Sequence, residues 1–199
     1  MRQVPILLFF SCSVAALCAP PVTFGVTGGI PATDALRWQK YEGPRYVVGP
    51  SVELQLPAGF AVEFDALYRR IGGTSLYLSL NPGVTSFSAI RQRGNSWEFP
   101  VLGKYYFRRK SDGWRPFVST GYAFRKTWWE NEVASLMSGE PLSYQFSSDS
   151  PLEAGVVIGA GVRWKFRRVL LAPELRYSRW SGGSSTMPNQ VGALLGVRF

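Results

Sequence analysis

The sequence predicts an all-β protein: an eight-stranded antiparallel up-and-down β-barrel that crosses a membrane with its strands. Three observations predict it. The closing stretch Val191-Gly192-Ala193-Leu194-Leu195-Gly196-Val197-Arg198-Phe199 is apolar at every second position, Val191, Ala193, Leu195 and Val197. That is a period-two strand with one greasy face, and about ten such residues span a bilayer when tilted. Seven further alternating segments precede it, and the connections between segments alternate between short and long. Aromatic residues gather at the segment ends with aliphatic residues between them, as expected where a wall passes through two membrane interfaces.

The first element is a leader. Met1-Arg2-Gln3 is followed by an apolar run from Val4 to Leu17 and then by Ala19-Pro20-Pro21. A basic start, a short apolar core and small residues before a break describe a secretory signal peptide over residues 1–18, with cleavage expected between 18 and 21. The run is about fourteen residues, too short for a spanning helix. Cys12 and Cys18 both fall in or beside the leader, so the mature chain is expected to have no disulfide and no thiol chemistry. The remainder, 22–199, reads as a single barrel domain. The formal net charge of +9 reads as a basic rim facing anionic headgroups, and export makes nucleic acid an unsuitable partner.

The alternating segments are 22–30, 45–56, 60–70, 96–107, 115–126, 155–166, 169–180 and 190–199. Pro57-Ala58-Gly59, the stretch Arg108 to Trp114 and the pair Arg167-Arg168 make the short turns. Long polar connections are predicted at 31–44, 71–95, 127–154 and 181–189. An even strand count with loops sorted by length is the design of an outer-membrane barrel, and it puts both termini on the periplasmic, short-turn side. Pro173, inside the seventh segment, predicts a bulge or a local kink.

A soluble barrel also alternates, with its apolar face inside, so the aromatics decide the orientation. Tyr46, Tyr68, Trp97, Phe99, Phe124 and Tyr177 fall near the outer ends of their segments, and Phe60, Tyr105, Phe107, Trp164, Phe166 and Phe199 near the periplasmic ends. The apolar face therefore meets lipid. The other face carries Glu53, Glu63, Asp65, Glu98 and Glu174 against Arg69, Lys104, Arg125, Arg163, Lys165 and Arg176. An eight-stranded barrel is just wide enough for side chains to fill it, and unpaired charges there are costly. These residues are expected to form a lumenal ion-pair network that closes the pore; a narrow hydrated path is the alternative.

The chain has no histidine. The outer-membrane hydrolases and acyltransferases that share this architecture use one as base or proton shuttle, so those mechanisms cannot be built here. Glu63 and Asp65 sit two apart on one face, but lumenal ion pairs account for them; no catalytic residue, cofactor or metal site is expected. Glu130, Glu132, Glu140, Asp149 and Glu153 in the 127–154 connection read as solvated carboxylates, with calcium ligation left open. Basic and aromatic residues interleave at Arg37, Trp38, Arg91, Arg93, Trp128 and Trp129. On a cell surface this pattern suits lipopolysaccharide phosphates or an unidentified surface ligand, whereas Arg108-Arg109-Lys110 and Arg167-Arg168 make a second basic rim.

Four stretches carry a resemblance. Phe24-Gly25-Val26-Thr27-Gly28-Gly29-Ile30-Pro31, Trp97-Glu98-Phe99-Pro100-Val101-Leu102-Gly103-Lys104-Tyr105-Tyr106-Phe107, Arg115-Pro116-Phe117-Val118-Ser119-Thr120-Gly121 and Gly196-Val197-Arg198-Phe199 resemble the outer membrane protein beta-barrel domain family. This is the family of porin-family proteins akin to the eight-stranded domains of the OmpA and OmpX type, and the resemblance covers most of 22–199. It implies the outer membrane of a Gram-negative-type bacterium, a monomer embedded in lipid and lipopolysaccharide, and no shared catalytic residues. It also implies that Phe199 is the signal read by the barrel assembly machinery. With the chain ending at Phe199, no periplasmic peptidoglycan-binding domain is expected. The role implied is structural or adhesive, through the long outer loops, with narrow porin-like passive transport of ions or small solutes as the alternative. A soluble exported barrel holding an apolar ligand is the third and most remote reading.

Overall fold

A computed structural model describes residues 22–31, 46–81, 84–107, 113–137, 140–181 and 188–199. The leader, Arg37 and Trp38 lie outside the described residues. The strands are β1 (Val22–Pro31), β2 (Val47–Gln55), β3 (Phe60–Asp65), β4 (Leu67–Asn81), β5 (Val84–Tyr106), β6 (Trp114–Met137), β7 (Glu140–Asp149), β8 (Glu153–Phe166), β9 (Val169–Ser181) and β10 (Asn189–Arg198). Every pairing is antiparallel. β1 pairs with both β2 and β10, which closes the sheet on itself and leaves no edge in the wall.

Ten strands make an eight-membered ring because two members are interrupted lines. β3 and β4 keep one register against β5, from Phe64 opposite Val101 to Leu67 opposite Glu98. The gap between them falls beside Pro100, which has no N–H to give to the ladder, while Ala66 N–H donates to Pro50 O at 3.0 Å on the other side. β7 and β8 likewise both pair with β6, β7 along its far half and β8 along its near half. The ring is therefore the eight-stranded barrel that the alternation predicts.

Two expectations are corrected. Residues 71–95 and 127–154 are not loops for most of their length. β4 runs on to Asn81 and β5 begins at Val84; β6 runs to Met137 and β7 begins at Glu140. Directly above the aromatic girdle the outward positions hold Arg91, Arg93, Glu130 and Glu132, so the lipid-facing signal breaks off before the strands do, and outward positions turn apolar again only at Leu76 and Phe87. Pro173 makes no bulge. The register of β9 on β10 runs unchanged through Leu195 opposite Pro173, and against β8 it resumes after a two-residue gap with Trp164 opposite Leu171. The ring tolerates the missing N–H by omitting a rung on the β8 side.

The short turns fit their residues. Pro57–Gly59 forms one turn of 3-10 helix in which Ala58 and Gly59 have φ of 60° and 86°. At Arg167-Arg168 the first residue takes φ 54°, the left-handed geometry that matches a two-residue hairpin to strand twist. Inside-out amphipathicity holds around the wall: Phe24, Phe64, Val101, Tyr122, Ile158, Leu175 and Leu195 are exposed on its outer surface, while the alternate positions are buried. No helix among the described residues is long and apolar enough to cross a membrane, as expected of a protein that crosses with strands.

Candidate functional site: the closed lumen and the sheet above it

Alternation decides what fills the lumen. β2 contributes Glu53, β3 Glu63 and Asp65, β5 Lys104 and Tyr106, β8 Arg163, β9 Glu174 and Arg176, and β10 Arg198, all buried. They meet in the half nearer the termini. Lys104 Nζ lies 2.7 Å from Glu63 Oε2 and 3.4 Å from Glu174 Oε2. Arg176 reaches three carboxylates, Glu63 at 3.1 Å, Asp65 at 3.0 Å and Glu174 at 3.2 Å. Arg198 pairs with Glu53 at 2.9 Å and also with Glu63, and Arg163 pairs with Glu53 at 3.0 Å. Tyr106 donates its hydroxyl to Glu53 at 2.9 Å, and the Arg163 guanidinium lies 4.2 Å over its ring. Ser119 donates to Glu174 at 2.7 Å. Acid and base are matched group for group, which is how charge survives in a space with little water.

Towards the other end, apolar side chains close the bore. Leu102, Ala123, Val157 and Trp180 pack as one buried cluster, and Val47, Leu67 and Leu194 as a second. Beyond them Arg125 donates through Nε to Glu153 Oε2 at 2.7 Å and lies 4.2 Å over the Trp180 ring, with Arg69 and Glu98 buried in the same region. A cavity of about 30 Å³ remains, lined in part by Leu67, Glu98, Val157, Arg176 and Gln190.

Ten of the eleven residues expected in the lumen are buried there. Lys165 is not: it shares their parity but lies past the end of the bore, exposed beside the turn, where its N–H donates to Gly113 O at 3.2 Å. Sequence reasoning missed Arg198, Tyr106, Arg115 and Glu153, which are buried too. The first three carry the inward parity of their strands, so the signal was present. Glu153 opens β8 two residues before the predicted sixth segment, within the stretch that the sequence marks as a loop.

The outward face changes character along β5, β6 and β7. Up to Trp97 and Trp128 it is apolar and aromatic; beyond them it presents Arg91 and Arg93 on β5, Glu132 and Glu130 directly opposite on β6, and Gln145 and Ser147 on β7. The inward face changes the other way. Above Asn131 it presents Val133, and on β7 it presents Leu142, Tyr144 and Phe146, which register with Ser135, Val133 and Asn131. These three are 55%, 51% and 48% exposed, with the Tyr144 and Phe146 rings stacked at 6.0 Å. On β6 and β7 the hydrophobic parity thus inverts beyond Trp128-Trp129, whereas Leu76 on β4 and Phe87 on β5 stay on the outward face. The carboxylates Glu130, Glu132, Glu140, Asp149 and Glu153 are dispersed over β6, β7 and β8, and among the described residues no group of three or more metal-ligating side chains assembles. Trp128 and Arg93 face outward, Trp129 inward, where its indole N–H donates to Ser150 Oγ at 3.0 Å.

No curated protein sequence matches the chain. Among solved structures it is similar to Neisserial surface protein A, with 16% identity and a TM-score of 0.49 over 89% of this chain and 94% of that one. It is also similar to the N-terminal β-barrel domain of OprF from Pseudomonas aeruginosa, with 18% identity and a TM-score of 0.44 over 89% and 96%. The attachment invasion locus protein Ail of Yersinia pestis matches with 12% identity and a TM-score of 0.42 over 89% and 96%. The family model for the outer membrane protein beta-barrel domain matches residues 20–179. The chain belongs to the outer membrane protein beta-barrel domain family and is a protein of the Gram-negative outer membrane.

Proposed function

We propose that this outer-membrane barrel is non-enzymatic and works as a surface-interaction protein, presenting the β5–β6–β7 extension to partners outside the cell. The inverted parity carries this reading. A strand edge that bears Leu142, Tyr144 and Phe146 half-exposed, with Ser143, Gln145 and Ser147 on its other side, keeps an apolar strip away from lipid and turned over the mouth of the barrel. Exposed apolar strips rimmed by polar residues mark interaction sites. The lumen supports the same reading, since its carboxylates are committed to cations and no histidine stands by to move a proton.

Passive transport is the second reading, and the bore argues against it. A charge cluster and an apolar belt lie in series along the bore, and apolar constrictions exclude ions by dewetting. Residues 1–18 serve in this proposal as the cleaved leader, and Phe199, exposed and joined to β1 through its N–H to Phe24 O at 3.0 Å, as the mark read by the assembly machinery.

The test is the triple variant L142S/Y144S/F146S, displayed on cells and checked for a heat-modifiable barrel. Attachment to host-cell monolayers and to matrix-coated surfaces is expected to fall to that of cells lacking the protein. Unchanged attachment together with reproducible unit conductance steps from the purified barrel would replace the proposal with transport.

A further inference from the structure

We propose that the outward face of the β4–β5–β6–β7 extension is a two-fold interface for a second copy of this chain in the same membrane. The inference uses the opposite face from the apolar strip and rests on the outer-membrane placement alone. It departs from the monomer that the family resemblance implies.

The charges of this face are sorted by strand. Arg70 stands on β4 and Arg91 and Arg93 on β5, whereas Glu130 and Glu132 stand on β6 and Asp149 on β7. The register sets them in rows across the sheet. Rising from the girdle, Arg70 shares a row with Asp149, Arg93 with Glu130, Arg91 with Glu132, and Ala89 with Ala134. Among the described residues the acidic half has one outward cation, Lys126, which lies a row lower and is tied to Asp149 at 2.6 Å. The face is thus divided along the line between β5 and β6, with three cations on one side and three anions on the other.

Such a division is self-complementary. Two copies in one membrane both raise their strands from it, so the two-fold axis that relates them runs along the membrane normal. With that axis on the line between β5 and β6, β5 of one copy lies over β6 of the other, and β4 over β7. Arg91 then meets Glu132 of the second copy, Arg93 meets Glu130, and Arg70 meets Asp149, each pair being made twice. Within one copy Arg91 already lies opposite Glu132 and Arg93 opposite Glu130. A guanidinium has five donors in a fork and serves a second carboxylate as well as a first, so the second copy adds partners without displacing any. A lipid headgroup or a free anion would favour a face of one sign, and this face carries both in equal number.

Shape agrees with charge. A cavity of about 310 Å³ on this face is lined by Arg91, Arg93, Glu130, Glu132, Gln145 and Ser147 among others. Most of its lining comes from β6 and β7, so it opens on the half that receives Arg91 and Arg93 of the second copy. Above the charged rows, Ala89 and Ala134 lie directly opposite each other beside the axis, with Leu76 and Phe87 exposed around them. Small residues at the axis let two sheets approach, and the flanking apolar side chains leave water when they do. These apolar residues stand beyond the charges, where no hydrocarbon covers them, and a second copy does. The paired sheets turn their Leu142, Tyr144 and Phe146 strips to opposite sides, so the dimer presents two of them at once.

The experiment uses refolded full barrels labelled at the amino terminus with donor or acceptor dye and mixed in phosphatidylcholine vesicles at high lipid excess. Energy transfer reads association, and heat-modifiable mobility checks the fold. The wild type is expected to transfer above the level of randomly placed barrels, and less so at high salt. R91E/R93E makes the centre of the face acidic on both strands, and E130R/E132R makes it basic. Each variant alone is expected to self-associate at least about tenfold more weakly. An equal mixture of the two is expected to restore transfer between them, because an acidic face then meets a basic one. Mixing repairs no fold defect, so this arm separates an interface from a structural role. The proposal is overturned if the wild type transfers only at the random level, which leaves the face to another partner. It is equally overturned if each folded variant associates as the wild type does, or if their mixture stays at the random level.

Discussion

Glu63 on β3 and Arg198 on β10 form an ion pair across the lumen, 135 residues apart in the chain. Arg198 is the penultimate residue and also holds Glu53 on β2, so the strand that closes the barrel is pinned from inside to two strands beyond its own neighbour. Glu63 in turn serves Lys104 and Arg176. Replacing it with alanine leaves three buried cations short of a counter-charge. Breaking a buried pair in this way costs about 3–5 kcal/mol. Glu63→Ala is therefore expected to unfold at markedly lower urea concentration while remaining silent in a planar bilayer, because the apolar belt still closes the bore. Large, stable conductance steps from that variant would show that the ion pairs, not the belt, seal the lumen.

Gly159 tests the same network by adding volume. A Cβ built there would overlap Glu174 Oε1 and Ser119 Oγ, the two atoms that hydrogen-bond to each other at 2.7 Å. At Gly192 a Cβ would meet only Ile30 O at 3.6 Å, an ordinary contact. Gly159→Ala is expected to cost about 1–3 kcal/mol through overpacking, and Gly192→Ala close to nothing. Paired urea melts of the two variants measure the difference.

The lipid-facing wall and the polarity of the lumen were legible because a bilayer enforces them residue by residue: Val101 out, Leu102 in, Gly103 out, Lys104 in. The reach of the strands was not legible. Past Trp97 and Trp128 no lipid selects the outward residues, so Arg91, Arg93, Glu130 and Glu132 look like loop composition although they sit in strands. Inward partners such as Arg198 and Tyr106 were available from parity alone. Which carboxylate each cation meets was not, since strand tilt sets the depth at which inward residues of different strands coincide, and alternation contains no tilt. The turn at Pro57-Ala58-Gly59 was readable from its residues, whereas tolerance of Pro173 depended on a ring able to lose a single rung.

The parity inversion predicts where the bilayer ends. Leu175 lies at the middle of β9 and faces outward, opposite Ala160 and Ala193. An arginine there enters hydrocarbon and is expected to cost about 2–4 kcal/mol. Tyr144 is exposed too, yet it stands above the membrane on β7, so Tyr144→Arg is expected to leave barrel stability within about 0.5 kcal/mol of wild type. Urea melts in lipid vesicles separate the two cases. Equal costs would place β7 inside the bilayer and remove the basis for an extracellular sheet.

Asp149 and Lys126 close the base of that sheet, where β7 leaves β6, at 2.6 Å. The hydrogen bond from the Lys126 ammonium, with its charge, holds the Asp149 carboxyl below its ordinary value of 3.8. A carboxyl lowered in the folded state adds stability above its unfolded value, and that contribution is lost as the pH falls through the folded one. The docking of β7 onto β6 is thus expected to be insensitive to pH from neutrality down to about 4 and to loosen only below 3.8. Side-chain carbonyl shifts of Asp149 report the protonation, and amide exchange at Ser147 and Ser148 reports the loosening. Lys126→Gln should return the midpoint towards 3.8 and carry the exchange transition upward with it. A midpoint unmoved by that substitution would mean that the pair forms no tie, and that the register of β7 on β6 is kept by backbone bonds alone.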